Sequence, residues 1–294
     1  MKLLSAILRE IRPKQWTKNG LVFFGLVYAL DFDQPALVLR SIIAFTAFCS
    51  ISSAGYVFND LRDAARDRLH PTKRFRPIAA GTLTAQTAWP LALLLGGVGF
   101  ALAAQLGAVF AACCVLYVLL TSGYSLWWKH VVLIDVFALA AGFVLRAAAG
   151  AVAIDVPISP WLYMCTILGS LVISLGKRRS EIGIGAETAE AHRPALEHYT
   201  IAFIDQLIVV TATASVMAYS LYTFSADTVP KNHSMMTTIP IALYGVFRYL
   251  FLVQVRGLGG DPEDLLMRDR SLSIAIGLFL LVSAVILELS PRGG

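Results

Sequence analysis

Nine apolar runs, separated by short polar stretches, follow one another along the chain. They cover approximately residues 19–31, 36–58, 86–105, 107–128, 131–153, 160–176, 200–225, 237–256 and 272–289. Several of them approach the roughly 20 residues that an α-helix needs to cross a lipid bilayer. The pattern therefore predicts an all-α fold, a polytopic integral membrane helical bundle of about nine transmembrane helices. Eight spans is the alternative, because the sixth run is short and the break between the third and fourth runs is tight.

The polar stretches between the runs are too short for a second folded domain, and they contain no internal repeat. We therefore expect one transmembrane domain over residues 1–294. Residues 1–18 are predicted to be a cytoplasmic segment whose first 12 residues form a helix on the membrane surface, because leucine and isoleucine share one side of it. Residues 59–85 and 177–199 are predicted to be cytoplasmic loops that carry the active site.

Lysine and arginine are distributed very unevenly among the predicted loops. A cytoplasmic N-terminus places 19 of the 24 lysines and arginines in inner segments. Positively charged loops are retained on the cytoplasmic side of a membrane, which supports this orientation. Because nine spans is an odd number, the C-terminus is then expected outside the cytoplasmic membrane. This topology accounts for the net charge of +5, and no nucleic-acid partner is implied.

The cysteines and histidines indicate no disulfide framework and no zinc site. The cysteines, at positions 49, 113, 114 and 165, all lie in apolar runs and form no CxxC pair, and the histidines show no metal-ligand spacing. The chain also lacks the GxxxxGK[ST], GxSxG and HExxH motifs. Catalysis would then rest on a hard cation and on cationic side chains.

An acidic stripe follows the second apolar run. At helical spacing, Asn59, Asp60, Asp63 and Asp67 fall within an arc of about 100° if the helix continues for two more turns. Oxygen ligands on one face suit Mg²⁺, which takes one or two carboxylates and leaves its other positions to water and phosphate. The alternative is a solvated loop, which does not explain like charges on one stripe.

Basic side chains accompany the stripe and return after the sixth run. Lys73, Arg74 and Arg76 come first, and Lys177, Arg178 and Arg179 precede Glu181 in the second group. Arginine binds phosphate through forked donors and lysine through a point charge. For the second group, a basic stop at a helix end is the alternative.

Further candidates for substrate binding lie at the ends of the spans or within them: Lys18, Asn19, Tyr124, Lys129, Arg146 and Arg248. The first four have interfacial anchoring as the alternative. A charge within a span is costly unless it has a partner or faces a polar cavity. Asp135 and Arg146 therefore line a wet cavity or form ion pairs with other helices.

The spacing Asn59-Asp60-x-x-Asp63-x-x-x-Asp67 resembles the NDxxDxxxD signature of the UbiA superfamily of intramembrane prenyltransferases. The resemblance implies a nine-helix fold that uses Mg²⁺ to hold a diphosphate in a cavity open to the cytoplasm and the lipid. Typical members carry a second aspartate-rich motif after the sixth span. Residues 177–181 are mostly basic here, and this departure resembles the decaprenyl-phosphate phosphoribosyltransferase branch.

That branch implies a transfer of 5-phosphoribose from 5-phosphoribosyl diphosphate (PRPP) to a polyprenyl phosphate, in the synthesis of cell-wall arabinan. Asn59, Asp60, Asp63 and Asp67 would hold Mg²⁺, and Asp63, Asp67 and Lys177 would be catalytic. The remaining candidates would bind the substrate phosphates. Association of several copies of the chain is left open. The alternatives are an ordinary prenyltransferase with an aromatic acceptor and a non-enzymatic carrier of lipid phosphates.

Overall fold

The structure is a computed structural model that describes residues 2–29, 33–158, 160–183, 196, 198–226, 229–260, 265 and 268–289, and its regular elements there are all helical. Ten α-helices cover Lys2–Glu10 (α1), Phe24–Ala29 (α2), Pro35–Asp67 (α3), Ala85–Gln105 (α4), Ala108–Leu126 (α5), Ile134–Ala153 (α6), Pro160–Gly183 (α7), Ile201–Ser225 (α8), Ile239–Leu250 (α9) and Arg270–Leu289 (α10). Four 3-10 helices cover Pro13–Phe23, Lys73–Phe75, Trp128–His130 and Ser234–Thr238, and a π-helix covers Phe251–Val255.

Helix α3 carries the acidic stripe well beyond its apolar part. Its 33 residues rise about 50 Å at 1.5 Å per residue, which exceeds the roughly 30 Å hydrocarbon thickness of a bilayer. It begins with Pro35 at its first turn and ends at Asp67, shortly before Pro71. Proline is tolerated in the first turn of a helix, as at Pro35, whereas a proline further along, as at Pro71, disfavours continuation of the helix. The predicted extension of the second span is confirmed.

The chain divides into two compact units. Unit 1 comprises Met1–Ser122 and Leu145–Ile158, and unit 2 comprises Gly123–Val144 and Ser159–Gly294. The core of unit 1 contains Phe48, whose ring packs edge-on against those of Phe110 and Tyr117. The core of unit 2 is built around Ile204, Ile208 and other buried aliphatic side chains. The prediction of a single domain is not tested by this division.

Two glycines allow the N-terminal segment of unit 1 to approach α6 closely. A Cβ atom on Gly150 would lie 1.9 Å from the carbonyl oxygen of Val22, and one on Gly25 would lie 2.6 Å from the backbone nitrogen of Ala151. Small residues permit such backbone contacts between membrane helices. This packing fixes the 3-10 helix Pro13–Phe23, which carries Lys18 and Asn19, against α6, which carries Arg146.

Seven helical segments of the described residues are long and apolar enough to span a membrane. The first predicted run lies instead in the 3-10 helix Pro13–Phe23 and α2, and the sixth lies in α7. The count of nine spans is therefore not confirmed. The predicted loops also begin as helix, because α3 continues to Asp67 and α7 to Gly183. Residues 184–195 and 197 of the second predicted loop lie outside the described residues.

Candidate active site

The acidic end of α3 is an ion-paired cluster in unit 1. Asp60 and Asp67 are almost completely buried, whereas Asn59 and Asp63 are partly exposed. Arg76 joins the two buried carboxylates, because its Nη1 donates to Asp60 Oδ1 at 3.1 Å and to Asp67 Oδ2 at 2.7 Å. The helical spacing thus places two of the predicted metal ligands around one cation.

A second guanidinium reaches the cluster from the N-terminal segment. Arg12 donates to Asp60 Oδ2 and lies over the ring of Tyr56, 5.0 Å from its centre. Its backbone is left-handed, with φ of 52°, a conformation that is uncommon for residues other than glycine. Asp63, by contrast, contacts its neighbour Arg62 at 3.3 Å.

Glu10, the last residue of α1, is a member of this cluster that the sequence analysis missed. Its side chain is 1% exposed and lies beside the carboxylate of Asp60. Burial, and secondly the negative charge of Asp60, raise the pKa of Glu10 to about 8. Ala6, one helical turn earlier, is also buried, so the two residues share the inward face of α1. The sequence carries no separate signal for this burial.

The turn after α3 is organised by His70. Its Nδ1 accepts hydrogen bonds from the backbone N–H groups of Thr72 and Lys73, each at 3.2 Å. Lys73 is partly buried there, and Arg74 is exposed with its guanidinium 4.8 Å from the ring centre of Phe75. The predicted bases Lys73, Arg74 and Arg76 therefore follow the acidic stripe, and Arg76 contacts two of its carboxylates.

A buried polar network in unit 1 contains two further predicted residues. Arg146 donates to Asn19 Oδ1 at 2.8 Å and to the hydroxyl of Tyr117 at 2.7 Å. The amide nitrogen of Asn19 donates to Ser52 and Cys49. Asn19 thus holds Arg146 in place within the membrane-spanning part. Lys18, the neighbouring candidate, donates to Gln15 at 2.5 Å.

Arg178 forms the corresponding buried network in unit 2. It is completely buried, its Nε lies 2.6 Å from Asp135, and it also contacts Glu181. Its Nη2 donates to the hydroxyl of Tyr124 at 2.7 Å. The ion-pair alternative is therefore confirmed for Asp135, and the structure also brings Tyr124 and Glu181 to the same guanidinium.

Tyr199, which the sequence analysis missed, extends that network to a strained turn. Its hydroxyl donates to Asp135 at 2.9 Å and accepts from the backbone N–H of Leu133 at 2.6 Å. Leu133 has a left-handed φ of 66°. Burial raises the pKa of Tyr199 to about 12, so the hydroxyl keeps its proton. Lys129, in the preceding 3-10 helix, is partly exposed.

The other predicted bases of unit 2 hold helices together. Arg179 donates to Asp205 at 2.6 Å and to the carbonyl groups of Val253 and Gln254 at 2.9 Å each. Arg248 forms a two-point ion pair with Asp269, which lowers the pKa of that carboxyl. Contact of Arg179 and Arg248 with substrate phosphate stays a prediction. Lys177 is partly exposed on α7.

The donor set of α3 fits a metal that completes its shell with ligands from outside the protein. Within the described ranges, no group of three His, Cys, Asp or Glu side chains is arranged to hold a metal ion. Mg²⁺ needs no such group, because one or two carboxylates with water and phosphate oxygens suffice. Asp60 and Asp67 already share the guanidinium of Arg76, so a metal ion would bind these carboxylates beside that group or in its place.

Comparisons with known proteins give a family model, curated relatives and solved structures that resemble this chain. A family model described as the UbiA prenyltransferase family matches residues 20–177. The chain is 37% identical to a decaprenyl-phosphate phosphoribosyltransferase of Corynebacterium glutamicum, over 96% of this chain and 87% of that one. It is 34% identical to a decaprenyl-phosphate phosphoribosyltransferase of Mycolicibacterium smegmatis, over 92% of this chain and 89% of that one. A UbiA homolog from Archaeoglobus fulgidus bound to GPP and Mg²⁺ superposes with a TM-score of 0.72 at 16% identity, covering 97% and 100%.

Proposed function

Because the chain belongs to the UbiA prenyltransferase family, a family of integral membrane transferases, we propose that it transfers 5-phosphoribose from PRPP to a polyprenyl phosphate and releases diphosphate. The relatives named decaprenyl-phosphate phosphoribosyltransferase support this choice of substrates, since they match nearly end to end. Their names favour an enzyme over a lipid-phosphate carrier.

One structural observation carries the proposal: the acidic face of α3 is interleaved with guanidinium groups. Arg12 and Arg76 both contact Asp60, and Arg76 also contacts Asp67. A magnesium diphosphate presents both a cation and several anionic oxygens. Carboxylates would serve the cation and arginines the oxygens, so a mixed cluster suits it better than acids alone.

Asn59, Asp63 and Asp67, with Asp60, would hold Mg²⁺ through their oxygens. Bound there, the ion would neutralise the negative charge that develops on the departing diphosphate. The chain's own task is to orient these oxygens. The ion pairs with Arg12 and Arg76 hold the side chains of Asp60 and Asp67 in one orientation each. These carboxylates would therefore need to move little when the substrate binds.

The reaction forms one bond and breaks one. An oxygen of the lipid phosphate attacks C1 of the ribose from the face opposite the diphosphate, and the C1–oxygen bond to the diphosphate breaks with inversion. A phosphate monoester is already mostly ionised at pH 7, since its second pKa is about 6. No side chain has to remove a proton. Positioning and electrostatic stabilisation supply the rate.

Unit 2 offers a second set of anion-binding side chains. We assign phosphate binding to Lys129 and Lys177, which are partly exposed, and to Tyr124. Arg178 then acts on substrate indirectly, because it is completely buried and positions Tyr124 and Glu181. In unit 1, Lys18, Lys73 and Arg74 remain proposed phosphate ligands.

The test is incubation of the purified protein with Mg²⁺, PRPP and a polyprenyl phosphate. The expected product is a lipid-linked phosphoribose, detected by mass, together with stoichiometric diphosphate. Omission of Mg²⁺ or of the lipid should abolish diphosphate release. If the protein is folded and releases no diphosphate under the complete conditions, the proposal is wrong.

A prenyltransferase with an aromatic acceptor is the second candidate, favoured by the family description and by the GPP bound in the archaeal structure. Here the lipid would carry the diphosphate. The basic character of residues 177–179 speaks against it. Replacing PRPP by a prenyl diphosphate and an aromatic acid in the same assay decides between the two.

We further propose that the N-terminus is cytoplasmic and the C-terminus external, with the product used for cell-wall arabinan. The excess of lysine and arginine in the predicted inner segments supports this orientation. Single cysteines introduced at Lys14 and at Lys231, in a variant without the native cysteines, should react with an impermeant reagent from opposite sides. The reverse labelling pattern would contradict the orientation.

A further inference from the structure

A cavity of about 630 Å³ lies between α1 and the start of the following 3-10 helix. We call it the N-terminal groove. Its apolar lining includes Leu4, Leu8 and Pro13, and its basic lining consists of Arg9, Arg12 and Lys14. The volume is typical of sites that bind small molecules, which range from about 300 to 1,000 Å³.

The local backbone creates this groove. Helix α1 ends at Glu10, and the left-handed conformation of Arg12 turns the chain before Pro13 starts the 3-10 helix. Leu4 and Leu8, one helical turn apart, are 64% and 49% exposed. A surface helix that shows leucines beside bases fits an amphiphile with an anionic head.

The groove leads to the acidic cluster. Arg12 belongs both to the groove lining and to the ion pair with Asp60. Glu10 lies two residues away and is buried beside Asp60. An anionic head held by Arg12 would therefore be adjacent to the face of α3 that is proposed to hold the diphosphate.

We propose that the N-terminal groove binds the phosphate and the adjoining isoprene units of the polyprenyl monophosphate acceptor. This inference rests on the proposed function and assigns the acceptor to a place in unit 1. Arg9, Arg12 and Lys14 bind the phosphate, and Leu4, Leu8 and Pro13 contact the chain next to it.

Charge favours this occupant over an ordinary phospholipid. A phosphate monoester carries about 1.5 to 2 negative charges at pH 7, whereas the diester of a phospholipid carries one. Three basic side chains on one groove match the more highly charged head. Arg9 and Lys14 are exposed, so they are available to a ligand that approaches from the membrane surface.

The experiment measures equilibrium binding of radiolabelled geranylgeranyl phosphate to the purified full-length chain in detergent. The wild type is compared with the double variant Arg9→Gln/Lys14→Gln, and Arg12 is left intact because it pairs with Asp60. Lys231→Gln, at an exposed position in a different loop, is the matched control. A base near a lipid surface contributes about a fivefold factor in affinity.

We expect the double variant to bind the probe roughly 25-fold more weakly at about fivefold per base, and the control to bind normally. Binding of Mg²⁺–PRPP and the melting temperature should not change in either. Leu8→Gln should weaken probe binding as well. Wild-type probe affinity in the double variant would overturn the groove assignment while leaving phosphoribosyl transfer intact.

Two further outcomes separate the alternatives. If phosphatidylglycerol displaces the probe at equal concentration, the groove is a general site for anionic lipids and the acceptor assignment is wrong. If the wild type neither binds the probe nor releases diphosphate from PRPP in its presence, the proposed function itself fails. A raised KM for polyprenyl phosphate with unchanged kcat in the double variant supports the groove.

Discussion

Replacing Arg178 by glutamine tests whether this side chain neutralises a buried acid in unit 2. The guanidinium is completely buried, and Asp135, whose carboxylate lies 2.6 Å from it, is 1% exposed. Glu181, the other carboxylate partner, is 24% exposed. The substitution leaves Asp135 charged and buried, with the Tyr199 hydroxyl still donating to it.

The cost follows from that burial. Removing one partner of a buried ion pair destabilises a protein by about 3–5 kcal/mol, mostly because the other charge is left uncompensated. For a chain of this size, about 1 kcal/mol lowers the melting temperature by roughly 2 °C or more. We therefore expect Arg178→Gln to melt roughly 5–15 °C below the wild type. The double variant Arg178→Gln/Asp135→Asn removes both charges and should recover part of this loss.

The assay is thermal unfolding of the detergent-solubilised protein, followed by intrinsic fluorescence at one fixed heating rate. Arg62→Gln is the control, because the side chains of Arg62 and of its carboxylate partner Asp63 are 35% and 29% exposed and water screens that pair. Its shift should be clearly smaller. A melting temperature of Arg178→Gln within about 2 °C of the wild type would refute the reasoning. The reasoning would also be refuted if the double variant lost as much stability as Arg178→Gln and Asp135→Asn lose together when each is measured alone.

Two other substitutions test the packing of the N-terminal segment. In the wild type, the pKa of folded Glu10 is raised to about 8, so the folded protein keeps a proton that the unfolded chain loses above about pH 4.5. The free energy of unfolding should therefore fall by up to about 1.4 kcal/mol per pH unit as the pH rises from about 4.5 to 8. Glu10→Gln should remove this contribution in thermal unfolding at several pH values, and an unchanged pH dependence would contradict it. Gly150→Ala should cost at least about 1–3 kcal/mol, since its Cβ would overlap Val22. Gly277→Ala, which meets open space, should be neutral or stabilising, and equal melting of the two variants would exclude the close contact.

The membrane helices could be predicted because hydrophobicity and helix length act locally. The break at Gln105–Gly107 was recognised from three residues, and α4 ends there before α5 begins at Ala108. The extension of α3 followed from the spacing of its acids and from Pro71. The first apolar run is predicted to be a span, and its described part lies in the end of an eleven-residue 3-10 helix and in a short α-helix. Hydropathy cannot distinguish these helix types.

Pairings between distant residues could not be predicted in the same way. Arg178 lies 43 positions from Asp135, and nothing in their local sequence indicates that the two side chains meet. Glu10 joins Asp60 across about 50 positions for the same reason. These contacts depend on how helices pack, whereas the spacing of Asp60, Asp63 and Asp67 depends only on the helix that carries them.

The predicted phosphate-binding residues illustrate the difference. The cluster Lys177-Arg178-Arg179 appeared uniform in sequence, yet the structure gives its two arginines separate roles. Arg178 is buried in one network and Arg179 joins α7 to Asp205 and to the π-helix. Charge type can be read from a sequence. Which charges are used to hold the fold together depends on burial, which only the tertiary structure supplies.

The most direct test of the central claim is diphosphate release from PRPP, in the presence of Mg²⁺ and polyprenyl phosphate, by the wild type and by Asp63→Asn. Asp155→Asn, at an exposed left-handed position in unit 1, is the control. We expect Asp63→Asn to lower the rate by about 10²–10³ with an unchanged melting temperature, and the control to remain active. Wild-type release by folded Asp63→Asn would contradict the assignment of the magnesium diphosphate to the acidic face of α3.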